Sequence, residues 1–163
     1  MPEEDLKKFI RDPGELSVND LLPERPETGD EVPVILWRLI RIIGFHQLLK
    51  EDVSETSYFI GKNIGQMLGI KNTDELLKKL IELKIGKINF VINSPEAVHV
   101  NISECVTCSG IKPPLGKPIC QLEAGIIAGA LETIYPGKKS VGKETKCIGG
   151  LGDEFCRIEC DII

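Results

Sequence analysis

The sequence predicts an α+β domain, in which helices pack on an antiparallel sheet. Hydrophobic residues recur at helical spacing up to about residue 86 and then alternate as in strands. The predicted elements follow the order helices, hairpin, helix, hairpin, without the regular strand–helix alternation of a parallel sheet. With 163 residues, of which 42% are hydrophobic, the chain can bury one ordinary core.

The first 30 residues differ from the rest in composition. They are rich in proline and acidic residues, including Pro13-Gly14 and Pro23-Glu24-Arg25-Pro26. We interpret residues 1–30 as a partly ordered N-terminal arm, with a short helix at Glu4–Arg11. Residues 31–163 are expected to form a single ligand-binding domain.

Three helices are predicted in the first half of this domain. Apolar residues at helical spacing indicate a helix over Val34–Lys50. Ser54 is placed as the cap of a second helix, which ends at Gly69. Asn72 begins the third, and Glu75 completes a capping-box pattern.

Two hairpins and one helix are predicted in the second half. Ile88, Phe90 and Ile92 alternate with other residues, and the alternation resumes at Val98 after a Ser-Pro-Glu turn. A helix is predicted from Pro118 to Tyr135. Two closing strands, Ser140–Cys147 and Phe155–Ile162, are joined by a glycine-rich turn.

Small residues follow one another at four-residue intervals in the predicted helix 118–135. The set is Ala124, Gly125, Ala128, Gly129 and Ala130. Such spacing lets another backbone approach closely, either a packed helix, sheet or second subunit, or a ligand lying on the helix. Close packing is the favoured interpretation.

Composition excludes several functional classes. The net charge is −5, and Arg38 and Arg41 alone do not make a nucleic-acid footprint. The acidic start is not a secretory signal, so a cytoplasmic protein without a membrane span is expected. Neither His46 nor His99 belongs to a recognisable nucleophile–base pair, which leaves catalysis without its usual groups.

Six cysteines in a reducing compartment indicate metal or redox chemistry rather than a disulfide framework. Cys120, Glu144, Cys147 and Cys156 could supply the four tetrahedral ligands of zinc. Glu144 and Cys147 differ by an odd number of residues, so a regular strand would point them to opposite faces. A bulge, or an early strand end, is required. Alternatively, these cysteines and Cys160 are small buried hydrophobic residues.

A second pair, Cys105 and Cys108, forms a CxxC sequence on a loop. These residues could bind metal together with Cys147 and Cys156, form a redox disulfide, or remain inert thiols. No strand-to-helix context of the thioredoxin type surrounds them. Use of four cysteines for an iron–sulfur cluster is a further alternative.

The C-terminal half resembles the 4-vinyl reductase domain. The resemblance lies in the run from Gly116 to Glu132, in Glu144-Thr-Lys-Cys147 and in Gly152-Asp-Glu-Phe-Cys156. It implies the fold shared by NO-signalling and Golgi-transport ligand-binding domains. This family includes the sensor domains of aromatic-responsive transcription activators and resembles vesicle-tethering subunits.

The resemblance also implies a structural zinc ion held by Cys120, Glu144, Cys147 and Cys156, next to an apolar ligand pocket. It assigns no role to Cys105 and Cys108, and it does not place the polar ligand-binding residues. The chain carries no recognisable ATPase or DNA-binding domain, so the activator role does not transfer.

Aromatic side chains are the rigid surfaces from which an apolar pocket could be built. The candidates are Trp37, Phe45, Tyr58, Phe59 and Phe90. The leading hypothesis is a cytoplasmic, homodimeric sensor or carrier of an apolar or aromatic molecule, with structural zinc. The alternatives are a reductase component acting on a vinyl-bearing tetrapyrrole-like substrate and a protein-interaction subunit. A reductase would need a further cofactor, because zinc does not change its oxidation state.

Overall fold

A computed structural model describes residues 13–163. Contacts between Cα atoms divide the chain into two units, Met1–Glu31 and Val32–Ile163, close to the predicted division after residue 30. In the first unit, short 3₁₀ helices cover Pro13–Glu15 and Val18–Leu21. The helix predicted at Glu4–Arg11 lies outside the described residues.

The second unit contains six α-helices and four strands among the described residues. The helices are α1 (Val34–Arg38), α2 (Phe45–Leu49), α3 (Val53–Met67), α4 (Thr73–Glu82), α5 (Gln121–Ile134) and α6 (Ile148–Leu151). The strands are β1 (Lys87–Asn93), β2 (Ala97–Ser103), β3 (Ser140–Lys146) and β4 (Cys156–Ile162). A π-helical stretch, Leu39–Gly44, joins α1 to α2, so the predicted first helix is present with a wider turn in its middle.

The four strands form one antiparallel sheet in the order β1-β2-β4-β3. This confirms the α+β class. Alternate residues of β2 and β4 are buried, among them Val98, Val100 and Ile158. The sheet therefore has one apolar face, and α5 packs against β3 and β4.

Helices α3 and α5 approach each other at their glycines. A Cβ atom at Gly61 would lie 2.1 Å from the carbonyl oxygen of Leu122, and one at Gly125 would lie 2.1 Å from that of Tyr58. Gly65 and Gly129 are equally restricted. The small-residue stripe of α5 therefore serves helix packing within the chain.

Two predicted helix starts are wrong and one is confirmed. Asn72 Oδ1 accepts a hydrogen bond from the Glu75 N–H at 2.9 Å, as a cap does. Ser54 is not a cap, because α3 already begins at Val53. Helix α5 begins at Gln121 rather than Pro118, since the Cys120 N–H is directed to the Glu144 carboxylate.

Candidate metal centre and ligand cavity

Six potential metal ligands meet on one side of the sheet. Cys105 and Cys108 lie on the loop after β2, and Cys120 immediately precedes α5. The remaining three are Glu144 on β3, Cys147 between β3 and α6, and Cys156 at the start of β4. All six are buried. The cluster thus joins loop, helix and hairpin.

The donor atoms of these residues form two overlapping groups of four. One group is Cys120, Glu144, Cys147 and Cys156, and the other is Cys105, Cys108, Cys120 and Cys156. Within each group all donor atoms lie within 4.8 Å of one another. The four residues named by the family resemblance are therefore brought together, and the CxxC pair joins two of them.

Glu144 reaches the cluster through an irregularity in β3. The pairing with β4 shifts between Glu144 and Lys146, which leaves Thr145 as the extra residue of a bulge. The strand then ends at Lys146, one residue before Cys147. Both features that the parity argument required are present, and together they allow Glu144 and Cys147 to face the same point.

The carboxylate of Glu144 is half-satisfied. Its Oε2 accepts a hydrogen bond from the Cys120 N–H at 2.7 Å, while the buried Oε1 has no partner. Burial, and then the neighbouring Cys147, raise the pKa of Glu144 to about 9. A buried carboxylate oxygen without a partner, surrounded by thiols, suits a metal ligand better than a structural hydrogen-bond acceptor.

Backbone N–H groups from α6 support the sulfur atoms. Gly150 donates to Cys147 Sγ at 3.2 Å, and Ile148 donates to Cys156 Sγ at 3.4 Å. A Cβ at Gly150 would lie 2.1 Å from the Lys117 carbonyl oxygen and 2.8 Å from Cys147 Sγ. The glycine-rich segment predicted as a turn is thus a short helix whose glycines allow this approach.

The thiols differ in acidity because they share hydrogen bonds. Bonds from Cys108 and Cys120 hold the pKa of Cys105 far below its ordinary value, whereas Cys105 and its neighbours raise the pKa of Cys120. Cys160 belongs to neither group, and burial raises its pKa to about 12. Three thiolates and a carboxylate match the donor preferences of zinc, so the residues fit the expected ion. Binding of zinc by them stays a prediction.

A cavity of about 270 Å³ lies beside the loop that carries Cys120. Its walls come from the π-helical turn and α2, from the start of α3, and from residues 115–121. Most lining side chains are apolar: Ile42, Ile43, Val53, Leu115, Pro118 and Ile119. Such a site can hold a small molecule of limited polarity.

Two polar side chains of this cavity have a buried atom without a partner. They are Arg41, which is 5% exposed, and Ser57, which is 1% exposed. Arg41 donates from Nη2 to the Ile119 carbonyl at 3.3 Å, but its Nε has no acceptor, and neither has the Ser57 hydroxyl a partner. Sequence reasoning missed both. A charge and a hydroxyl on buried faces of otherwise amphipathic helices were the available indication.

None of the five aromatic residues proposed for the pocket is among those lining this cavity. Phe45 is next to it, because the Arg41 guanidinium lies 5.6 Å from the centre of its ring. Trp37 Nε1 donates to Thr107, the Tyr58 hydroxyl accepts from the Gly142 N–H, and Phe59 is 55% exposed. Phe90 is half-buried on β1. Ligand binding by these five stays a prediction.

Among residues 13–163, no helix combines the length and the apolar character needed to cross a bilayer.

The fold has several counterparts among solved structures. A vinyl-4-reductase family protein from Methanocaldococcus jannaschii superposes with a TM-score of 0.62 at 24% identity, covering 84% of this chain and 85% of the other. The phenol-responsive sensory domain of the transcription activator PoxR, with phenol, gives 0.62 at 15% identity, covering 80% and 74%. Trafficking protein particle complex subunit 3 from Naegleria fowleri, covalently bound to palmitic acid, gives 0.60 at 16% identity, covering 80% and 95%.

Sequence comparison identifies the family. The protein MJ1642 of Methanocaldococcus jannaschii is 35% identical over 137 residues, which is 84% of this chain and 82% of the relative. MJ1460 of the same organism is 33% identical over 136 residues, 79% of each chain. The family model of the 4-vinyl reductase domain matches residues 98–161, the segment from β2 to β4 that contains all six candidate ligands. The chain therefore belongs to the 4-vinyl reductase domain family.

Proposed function

We propose that this protein is a sensor or carrier domain for a small apolar or aromatic molecule, with zinc as a structural ion. The observation that carries the proposal is the cavity next to Cys120, in which buried polar atoms of Arg41 and Ser57 lack partners inside an apolar wall. An unpaired buried polar atom costs about 1–3 kcal/mol. A ligand that pairs with these atoms would recover that free energy.

The lining indicates the chemistry of the ligand. Its size is near the lower end of the range of ligand pockets, about 300 Å³. Apolar side chains would accept a single ring, while the Ser57 hydroxyl and the Arg41 guanidinium would pair with one oxygen on that ring. A phenol or an aromatic carboxylate combines these properties.

The proposed zinc ion would support the cavity rather than react. Cys120 lies between two lining residues, Ile119 and Gln121, so a metal bond to its sulfur would fix this wall. Three cysteines and Glu144 fill a tetrahedral shell, which leaves no open position for substrate. The ion therefore supplies rigidity.

The fold neighbours are consistent with this use. The sensory domain of PoxR was crystallised with phenol, and the trafficking subunit carries palmitic acid. Both therefore accommodate largely apolar molecules. They support an apolar ligand for this chain without specifying which one.

We extend the proposal to a homodimer in the cytoplasm. The segment from α1 to α2 exposes the apolar side chains of Leu36, Leu39, Ile40 and Ile43 at helical spacing. A second copy could cover such a face in a symmetric pair. All six cysteines are free, as a reducing compartment requires. Sedimentation equilibrium should show a dimer that Ile40→Glu dissociates. A wild-type monomer at micromolar concentration would contradict it.

Ligand binding is tested by calorimetry with a panel of phenols, benzoates and matched aliphatic compounds. Ser57→Ala and Arg41→Met should each weaken binding of the best compound about tenfold, or roughly 1.4 kcal/mol. Val53→Phe, which fills the cavity, should abolish binding. Ser103→Ala, on an exposed residue of β2, is the matched control. Absence of binding to every compound, with no small molecule retained by the native protein in mass spectrometry, would refute the proposal.

A further inference from the structure

The two groups of four ligands share two members. Cys120 and Cys156 belong to both, Cys105 and Cys108 to one group only, and Glu144 and Cys147 to the other. Six donors with two shared ones provide four ligands to each of two ions. We propose that the cluster is a dinuclear centre, in which the sulfur atoms of Cys120 and Cys156 bridge two divalent, zinc-type ions.

The sulfur–sulfur distances agree with this arrangement. A metal–sulfur bond of about 2.3 Å places two sulfurs of a tetrahedral ion roughly 3.8 Å apart. Cys105 and Cys120 are 3.6 Å apart, and Cys120 lies 4.0 Å from both Cys147 and Cys156. Cys108 and Cys156, at 3.2 Å, are the closest pair. Tetrahedral edges are therefore present on both sides of the shared pair.

A single ion would leave part of the cluster without a function. If it took Cys120, Glu144, Cys147 and Cys156, then Cys105 and Cys108 would remain as completely buried thiols against the ligands. If it took the four cysteines, the buried Oε1 of Glu144 would keep no partner. Two ions use every donor.

The charge of the second ion is balanced locally. Two further thiolates, from Cys105 and Cys108, carry two negative charges, and a divalent ion cancels them. Adding this ion to an occupied Cys120–Glu144–Cys147–Cys156 site therefore leaves the net charge of the buried cluster unchanged, which limits the desolvation cost. The composition of the donors, five sulfurs and one oxygen, favours a borderline-soft tetrahedral ion such as zinc.

The single tryptophan reports on the CxxC loop. Trp37 Nε1 donates to the Thr107 hydroxyl at 3.4 Å, and Arg38 Nε donates to the Val106 carbonyl at 2.8 Å. Both contacts lie between Cys105 and Cys108. Ordering of this loop by an ion should therefore change the fluorescence of Trp37, and occupation of the Glu144 side alone should change it less.

The experiment counts ions. Metal-free reduced protein is titrated with Zn²⁺ and examined by native mass spectrometry, with Trp37 fluorescence recorded in parallel. Wild type should bind two ions per chain. Cys105→Ser/Cys108→Ser should bind one and lose the fluorescence change, and Glu144→Gln/Cys147→Ser should also bind one but keep it. Cys160→Ser, a buried cysteine outside the cluster, should bind two.

A measurement on the wild type alone protects the proposal against unfolding of the variants. Protein loaded with ¹¹³Cd²⁺ should give two resonances at positions typical of sulfur-rich sites. A single resonance, one zinc ion per wild-type chain, a Cys105–Cys108 disulfide in freshly prepared protein, or iron in place of zinc would each overturn the dinuclear centre. None of these readouts involves the organic ligand, so they are independent of the proposed sensor function.

Discussion

At the scale of single residues, Glu144 is the most exacting position of the candidate metal centre. Its two carboxylate oxygens have different tasks, because Oε2 holds the N–H of Cys120 and Oε1 is free to bind an ion. The bulge at Thr145 exists in a strand that is otherwise regular. Local backbone geometry is therefore given up in order to aim one side chain.

We predict that Glu144→Gln retains the fold but weakens zinc binding. The amide can still accept from the Cys120 N–H, but it brings no negative charge to the ion. Affinity should fall by at least the ~10- to 100-fold that loss of an outer-shell partner of a metal costs. Competition with a chromophoric chelator measures this. Glu154→Gln, an exposed neighbour, is the control, and equal affinities for the two variants would show that Glu144 is not a ligand.

At the scale of elements, the contact between α3 and α5 depends on paired glycines. Gly61 and Gly65 on one helix meet backbone atoms of the other, and Gly125 and Gly129 do the same in return. No side chain separates the two backbones at these points. The two helices must therefore be matched in register as well as in hydrophobicity.

We predict that Gly125→Ala destabilises the protein by more than about 3 kcal/mol. The new methyl group would be 2.1 Å from a backbone carbonyl of Tyr58, which cannot move without shifting α3. Urea unfolding of metal-loaded protein measures the change. Asn63→Ala, on the exposed side of α3, should remain within about 0.5 kcal/mol of wild type. A similar small effect for both would contradict the close helix contact.

A largely buried ion pair links three elements. Glu132 on α5 is 2.9 Å from Lys62 on α3, accepts from the Ser140 N–H of β3 at 3.0 Å, and accepts from Gln66 at 2.8 Å. Burial acts to raise the pKa of Glu132, but the hydrogen bonds from Lys62, Ser140 and Gln66 outweigh it and lower the pKa below its ordinary value. The ionised form is therefore favoured by folding.

We predict that Glu132→Gln costs about 1–3 kcal/mol at pH 7. A lowered carboxyl pKa adds stability above the ordinary value of 4.5, and this stability is lost as the pH falls through the folded-state pKa. The difference from wild type should therefore disappear in acid. Urea unfolding between pH 3 and 7 tests it. Glu82→Gln, whose partner Lys79 is on the same exposed helix face, should show little change. A difference that grows with acidity would have the wrong sign.

At the scale of the whole molecule, the fold was largely predictable and the centre only in part. Hydrophobic periodicity located the main helices and both hairpins, and parity along β3 predicted its irregularity. The start of α5 was misplaced, because the group that takes the Cys120 N–H is 24 residues away. The pairing of Cys105 and Cys108 with Cys120 and Cys156 depends on the same kind of long-range contact. Spacing along a chain cannot show it.

Metal and ligand should be coupled, since the loop of residues 115–121 carries Cys120 and also forms a wall of the cavity. We predict that removing zinc with a chelator lowers the melting temperature and weakens binding of the best aromatic ligand. Zinc at a thousand times its Kd adds about 4 kcal/mol, which corresponds to roughly 8–16 °C for a chain of this size. Calorimetry before chelation, after it and after re-addition of zinc measures both effects, with zinc-saturated chelator as the control. Linkage requires the ligand to strengthen zinc binding by the same factor. If zinc-free protein, verified by elemental analysis, melted and bound ligand as before, the ion would have no part in shaping the cavity.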